Sequence, residues 1–150
     1  MSRRIVLDIE SDDLYEKATT IWIISTLDLD TGVVHDCFPY RGDYDDPLSD
    51  VELVVTHNGI DFDLPLIEKL LGITYEGEHF DTYVASCLLN PDRKGGHSLK
   101  SWGQRLGYPK GDYNDWTKYS DEMLEYCHRD CEVTKKIYDK LSKVIYDKDV

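Results

Sequence analysis

Two acidic residues near the start of the sequence, Asp8 and Glu10, have the spacing of a metal-binding pair. They lie in the segment IVLDIE. In a β-strand alternate side chains point to the same face, so both carboxylates would lie on one side, roughly 7 Å apart along the strand. That is close enough for both to reach one pair of metal ions. An exposed edge of the sheet would give the same pattern, but the strand looks central, where unpaired carboxylates are costly.

A second acidic group follows the apolar segment VELVVTHN. Asn58 and Gly59 are typical of a turn, and Asp63 stands just before a segment with helical spacing. Asp61 is equally acidic, and the spacing alone does not choose between the two aspartates. Capping of the following helix by either carboxylate is the alternative interpretation.

The third group is the segment YCHRDC near the C-terminus. Residues four apart on a helix lie on the same face, so Tyr126 and Asp130 are neighbours, as are Cys127 and Cys131. The two pairs are turned about 100° from each other, so we expect only one of them to face a site. The cysteines belong to the apolar stripe of this helix, which favours core packing. His128 and Arg129 lie off that stripe, and we expect them to be solvated.

The cysteine pattern does not favour a zinc site. The four cysteines contain no C-x-x-C motif, and Cys37 and Cys87 lie in unrelated segments, so the usual zinc-ligand spacing is absent. A domain of this size does not need a disulfide framework, which predicts a reducing, intracellular setting.

Composition predicts one soluble domain that spans residues 1–150. The chain is long enough to bury its own core, and it has neither a long apolar run nor a leader-like start, so we expect no membrane association. The net charge is −13, which argues against a passive nucleic-acid coat. Six basic residues between Arg93 and Lys118 stand against two acids, however, and form one basic segment.

The elements that would carry these residues are strands first and helices mostly later. RRIVLDIE and the two halves of TTIWIISTLDLDTGVVHDCFPY, around an Asp-Thr-Gly turn, are predicted strands, followed by VELVVTHN. Helices are predicted for DLPLIEKLLG, for DTYVASCLLN with Asp81 as N-cap, for HSLKSWGQRLG, and for a long final stretch capped by Ser120. This order predicts an α/β (α+β) fold, a mixed sheet that begins with an antiparallel meander and is flanked by helices.

LDIE, HNGIDFDLP and YCHRD together resemble the three exonuclease motifs of the DnaQ-like superfamily, in its DEDDy branch, which has a ribonuclease-H-like fold. Tyr126 marks that branch. The chain is similar to the 3′–5′ proofreading domain of short-tailed-phage family A DNA polymerases. That likeness also includes FDTYVASCLLN, GGHSLKSWGQRLG and KGDYNDW in the same order, so it spans nearly the whole chain.

The resemblance implies roles for the acidic residues. Asp8 would bridge two divalent cations, Glu10 and Asp130 would complete the ligands of the first, and Asp63 rather than Asp61 would hold the second. Tyr126 would orient the attacking water, because a phenol with an ordinary pKa of about 10 is a poor base at neutral pH.

Two Mg²⁺ or Mn²⁺ ions about 4 Å apart suit an all-oxygen set of ligands. Without cations, four converging carboxylates would repel one another and raise each other's pKa. Leu14 would be an apolar wedge against the terminal base, and Asn58 is a further candidate substrate contact in the turn before Asp63. Four basic side chains would contact the nucleic-acid backbone: Lys94, Lys100, Arg105 and Lys110.

The resemblance predicts a 3′–5′ exonuclease that hydrolyses single-stranded DNA or frayed DNA 3′ ends to nucleoside monophosphates. The same chemistry on RNA and a non-catalytic interaction module of a replication complex are the alternatives. The chain would be free-standing, the proofreading subunit of a split polymerase, or a piece of a longer chain. Its predicted location is the cytoplasm, that of the host if a phage encodes it.

Overall fold

The first three strands form the predicted antiparallel meander. They are β1 (Arg3–Ser11), β2 (Ile21–Asp28) and β3 (Val34–Cys37). The turn between β2 and β3 contains Gly32 at φ 76°, a left-handed conformation that favours glycine. The structure is a computed structural model that describes residues 2–108 and 113–147.

Two parallel strands complete the sheet on the other side of β1. They are β4 (Val51–Thr56), which pairs with β1, and β5 (Glu78–Asp81), which pairs with β4. The strand order is β3-β2-β1-β4-β5, so β1 is central as predicted. The sequence did not predict β5, because its four residues EHFD include two acids and no β-branched side chain.

Within residues 2–108 and 113–147, four α-helices cover the two faces of the sheet. They are α1 (Asp63–Leu71), α2 (Thr82–Leu89), α3 (Leu99–Arg105) and α4 (Asp121–Asp147). A short 3₁₀ helix, Pro39–Arg41, follows β3. Helix α1 packs on one face of the sheet, whereas α2, α3 and α4 pack together on the other.

The two faces of β1 separate the core into two main parts, as the alternation of its side chains predicts. Ile5, Leu7 and Ile9 are buried against Leu66 and Ile67 of α1. On the opposite face Val6 belongs to the cluster formed with α2, α3 and α4. Asp8 and Glu10 therefore extend from β1 on the side of α4.

Helix α4 begins as predicted, with Ser120 Oγ accepting a hydrogen bond from the backbone N–H of Met123 at 3.1 Å. Cys127 and Cys131 are buried in the core, which confirms their place on the apolar stripe. The buried side of α4 is wider than that stripe and also includes Asp130. No helix within the described part of the chain is long and apolar enough to cross a membrane.

Candidate active site

Asp8 and Glu10 lie at the C-terminal end of the central strand, where β1 faces helix α4. Glu10 is buried, and its Oε2 accepts a hydrogen bond of 2.8 Å from the indole N–H of Trp116. Asp8 Oδ2 lies 3.3 Å from Cys127 Sγ, whose thiol donates to it. Ligand atoms of Asp8, Glu10 and Cys127 all lie within 4.8 Å of one another.

The turn after β4 supplies a third carboxylate. Asp63 is the first residue of α1 and is buried, whereas Asp61 is exposed. Helix α1 has no side-chain cap, so the capping interpretation does not explain the burial of Asp63. Its Oδ2 has no hydrogen-bond partner among the described residues. A buried carboxylate oxygen of this kind is costly unless a cation binds it.

Helix α4 supplies the last two of the predicted residues. Asp130 is buried and Tyr126, one turn earlier, is partly exposed. The Tyr126 ring packs near Tyr113 and Trp116, at centroid distances of 5.8 Å and 6.3 Å. The aromatic neighbours hold the phenol at the edge of the carboxylate cluster.

The carboxylates interact strongly through their charges. Burial raises the pKa of Asp8 well above its usual value, and the charges of Asp130, Glu10 and Asp63 raise it further. Burial likewise raises the pKa of Asp63, with additional contributions from Glu10 and Asp81. The acids come from three separate elements, β1, α1 and α4, and their charges raise each other's pKa, as close carboxylates do.

This region lies on the wall of a cleft of about 1050 Å³, a large volume for a ligand site. The cleft is bounded by the end of β1, the loop after it, the β4–α1 turn, the starts of α2 and α3, and α4. The five residues predicted from the sequence all line it: Asp8, Glu10, Asp63, Tyr126 and Asp130.

The chemistry of the site fits hard divalent cations. The converging donors are carboxylate oxygens, which suit Mg²⁺ or Mn²⁺. Bound cations would neutralise the repulsion that raises the pKa values of Asp8 and Asp63, and would give Asp63 Oδ2 a partner. The nearby sulfur of Cys127 is the one donor of a different type in this cluster.

Sequence reasoning missed several residues that shape the cleft. Trp116 orients Glu10 from a segment with no regular structure, and only its place in the KGDYNDW motif indicated it. Asp81 does cap α2 as predicted, but its carboxylate also accepts hydrogen bonds from the backbone N–H groups of Asn58 and Ile60. It thereby fixes the turn that leads to Asp63.

His57 was also missed. Its Nδ1 lies 2.8 Å from Thr82 Oγ1 and its Nε2 lies 2.8 Å from the carbonyl oxygen of His97. The ring therefore connects the end of β4 to α2 and to the loop before α3. A lone histidine after a strand carries no signal of such a role, because its partners are 25 and 40 residues away in sequence.

The predicted substrate contacts divide into two groups. Leu14, which is 75% exposed, and Asn58 line the cleft. Lys94 and Arg105 line a different, smaller cleft between α2, α3 and α4, and Lys100 is exposed on α3. Lys110 lies outside the described residues. Lys17, which was not predicted, is the lysine that lines the large cleft.

Two predictions for the YCHRDC segment need correction. Cys127 is a core residue, but its thiol also contacts Asp8, so one member of the cysteine pair reaches the same cluster as Asp130. His128 is not simply solvated, because its Nε2 lies 2.8 Å from Asp36 Oδ1. Arg129 stacks over the ring of Tyr108, at 4.3 Å from the centroid. Sequence spacing gave no information on these partners in other elements.

The described residues form a five-stranded mixed sheet whose central strand ends in clustered acids, and this is the ribonuclease-H-like fold that solved nucleases also have. The catalytic core of RRP6 from Trypanosoma brucei is similar to it, with a TM-score of 0.71 and 20% identity, over 99% of this chain and 43% of that one. NrnC of Brucella melitensis with bound Mg²⁺ gives a TM-score of 0.64 at 20% identity, over 93% of this chain and 75% of that one. These likenesses confirm the predicted fold.

The chain belongs to the 3′-5′ exonuclease family, whose model matches residues 3–146. It is also 34% identical to the DNA-directed DNA polymerase of Escherichia phage T7, over 33% of this chain and 10% of the polymerase. The chain thus matches about a tenth of the length of this curated relative. These matches confirm the predicted resemblance to DnaQ-like exonucleases and phage polymerases.

Proposed function

We propose that this domain is a metal-dependent 3′–5′ exonuclease that removes nucleotides from the 3′ end of single-stranded or frayed DNA. The observation that carries the proposal is that four carboxylates and Tyr126 line one cleft. Membership of the 3′-5′ exonuclease family gives the reaction class. The DNA preference rests on the likeness to phage DNA polymerases.

Asp8, Glu10, Asp63 and Asp130 are the residues that would hold two divalent cations. Such cations supply activation of a water and stabilisation of the attacking and leaving oxygens at phosphorus. In our assignment Asp8 would serve both cations, Glu10 and Asp130 would serve one of them, and Asp63 would serve the other. The buried Oδ2 of Asp63, without a hydrogen-bond partner among the described residues, supports the last assignment.

Tyr126 is assigned to orient the attacking water through its hydroxyl. The side chain lines the cleft beside Asp130, and packing against Tyr113 and Trp116 restricts its ring. The hydrogen bond from Trp116 similarly restricts Glu10. Fixed rotamers reduce the entropy lost when the reacting groups are brought into line.

We assign the remainder of the cleft to binding of the 3′ end of the DNA strand. The exposed side chain of Leu14 offers an apolar surface to the terminal base, and Lys17 offers a positive charge to a phosphate. Asn58 has φ 68°, which turns the chain sharply at the cleft wall. Hydrolysis at this position would release nucleoside monophosphates.

A polymerase is the proposed partner. The curated relatives join a matching segment to a much longer polymerase chain, which supports a proofreading role alongside a polymerase, on the same chain or on another. A polymerase that is encoded beside this sequence, lacks exonuclease motifs of its own and copurifies with this protein would support that role. A polymerase with intact exonuclease motifs of its own would argue against it.

Defined oligonucleotides test the activity. DNA with a free 3′ end should be shortened stepwise in Mg²⁺ or Mn²⁺, whereas the same strand with a blocked 3′ end should persist. Matched RNA, run in parallel, decides between the DNA and RNA alternatives. Degradation from the 5′ end, or none at all, would contradict the proposal.

Variants of the two aspartates in the β4–α1 turn provide a matched pair. Asp63→Asn should lower the rate by about a hundredfold or more, because it removes a proposed cation ligand. Asp61→Asn changes the exposed neighbour in the same turn and should keep most of the activity. Absence of divalent-cation binding by the unmodified protein would instead favour the non-catalytic interaction module.

A further inference from the structure

A second group of metal-ligating side chains lies on the edge strand β3 and the loop that follows it. His35 Nε2 and Cys37 Sγ each lie 3.3 Å from Asp45 Oδ1. The ligand atoms of all three residues lie within 4.8 Å of one another. His35 and Asp45 are exposed, whereas Cys37 is buried beneath them.

The backbone explains why these side chains meet. His35 and Cys37 are two residues apart on a strand and therefore point to the same face. The intervening Asp36 points to the other face, where its carboxylate contacts Ser25 and His128. A bridge between Phe38 and Asp43 then folds the loop back, and this return brings Asp45 over the strand.

The spacing of the three atoms is close to that of a tetrahedral metal site. Zinc bond lengths of about 2.0–2.3 Å place neighbouring ligand atoms about 3.3–3.6 Å apart. Two of the three separations are 3.3 Å, and the third is within 4.8 Å. The third separation, between His35 and Cys37, involves the exposed His35 side chain, which has room to move.

The set of donors is different from that of the carboxylate cleft. One imidazole, one thiolate and one carboxylate suit ions of the zinc class, whereas Mg²⁺ prefers oxygen ligands alone. A thiolate and a carboxylate would neutralise a divalent ion. The protein as a whole is acidic, with net charge −13, and this favours the approach of cations.

We propose that His35, Cys37 and Asp45 bind a zinc-class transition metal ion, with solvent at the fourth position. The ion pins the loop of residues 38–45 to the edge strand β3. This site is separate from the proposed nuclease centre and does not depend on it.

Binding requires the thiol of Cys37 to lose its proton, which passes to solvent as the metal–sulfur bond forms. Burial, with a contribution from Asp45, raises the pKa of Cys37 to about 12, so the metal-free protein carries the thiol. The metal-free contacts are then the thiol donating to Asp45 and the imidazole contacting the same oxygen. A metal ion replaces both contacts with direct bonds to the three side chains.

Cobalt titration tests the proposal, because Co²⁺ bound to a cysteine sulfur gives a near-ultraviolet charge-transfer band. The whole protein is titrated with Co²⁺ in a large excess of Mg²⁺, which occupies oxygen-ligand sites. We expect a saturable band that Zn²⁺ displaces. Absence of any sulfur band would overturn the proposal.

Two cysteine variants identify the sulfur. Cys37→Ser should lose the band, whereas Cys127→Ser, which changes the thiol beside Asp8, should keep it. The reverse result would place the metal at the carboxylate cleft and overturn the proposal.

Variants of the two exposed ligands guard against loss of the band through misfolding. His35→Ala and Asp45→Asn should each weaken Co²⁺ binding tenfold or more. They should also reduce the rise in melting temperature that a fixed concentration of Zn²⁺ gives the parent protein. Unchanged affinity in both variants would contradict the assignment, because it would leave Cys37 without its proposed co-ligands.

Discussion

Asp63 shows how a residue proposed to bind a catalytic cation reduces the stability of the metal-free fold. Its carboxylate is buried beside Glu10, Asp81 and Asp130, and burial raises its pKa well above 3.8. A buried carboxyl with a raised pKa binds its proton more tightly in the folded state than in the unfolded state. It therefore reduces stability as the pH rises from about 4 through the raised folded pKa, and the full cost remains above that pKa.

The first prediction concerns this cost. In the presence of a metal chelator at pH 8, the Asp63→Asn variant should unfold at a higher urea concentration than the parent. This difference in midpoint should shrink towards pH 4, because protonation neutralises Asp63 there. Denaturation at several pH values checks it. Mg²⁺ should stabilise the parent more than the variant. A parent as stable as the variant at pH 8 without metal would contradict the prediction.

At the scale of elements, the turn between β4 and α1 determines the position of Asp63, which is the first residue of α1. Gly59 lies in this turn, and a Cβ atom there would stand 2.3 Å from Thr56 Oγ1 and 2.5 Å from Thr56 Cβ. Thr56 cannot easily move, because its side chain is fully buried and its Oγ1 lies 2.7 Å from His79 Nε2.

The second prediction follows from this contact. Gly59→Ala should lower the free energy of unfolding by about 1–3 kcal/mol, as overpacking commonly does, and should reduce activity by displacing Asp63. Urea denaturation and initial rates check both effects. Ile60→Ala, at the exposed neighbouring position, should stay within about 0.5 kcal/mol of the parent. Equal stability of the two variants would show that the turn tolerates a side chain.

The elements with strong periodicity were predictable from the sequence, and so was their order. The alternation in β1 predicted which face Asp8 and Glu10 share, and the stripe of α4 predicted the burial of Cys127 and Cys131. Strand β5 was not predictable, because an edge strand of four residues depends on pairing with β4 rather than on its own pattern.

The contacts between elements were equally inaccessible to sequence reasoning. The hydrogen bond from Trp116 to Glu10 joins residues 106 positions apart, and the contact of Cys127 with Asp8 joins residues 119 apart. No spacing rule in the sequence predicts that a tryptophan or a cysteine will contact a carboxylate more than 100 residues away. Only the fold, which places the segment before α4 over the end of β1, brings them together.

At the scale of the whole molecule, the distribution of charge raises the question of how an acidic protein holds a polyanion. Among the described residues that line the large cleft, Lys17 is the one lysine or arginine. Lys94 and Arg105 line a separate cleft, with Lys100 on the same helix as Arg105. A short oligonucleotide in the cleft would therefore contact few cationic side chains, whereas a longer oligonucleotide would reach α3.

The last prediction uses salt to count these contacts. For single strands the logarithm of affinity falls with the logarithm of salt concentration by about 0.7 per phosphate neutralised. At fixed Mg²⁺, kcat/KM for a trinucleotide should therefore fall with a slope of about −0.7, from Lys17 alone. A dodecanucleotide should give a steeper slope, by about 0.7 for each further contact.

Charge-neutralising variants assign these contacts to residues. The triple variant Lys94→Gln, Lys100→Gln, Arg105→Gln should return the dodecanucleotide to the trinucleotide slope, because it removes the three described side chains that we expect to contact the nucleic-acid backbone outside the large cleft. Lys135→Gln, which changes a lysine paired with Asp139 on α4, should leave both slopes unchanged. Equal slopes for the two lengths in the parent would mean that the basic segment serves solubility, and that the cleft alone holds the strand.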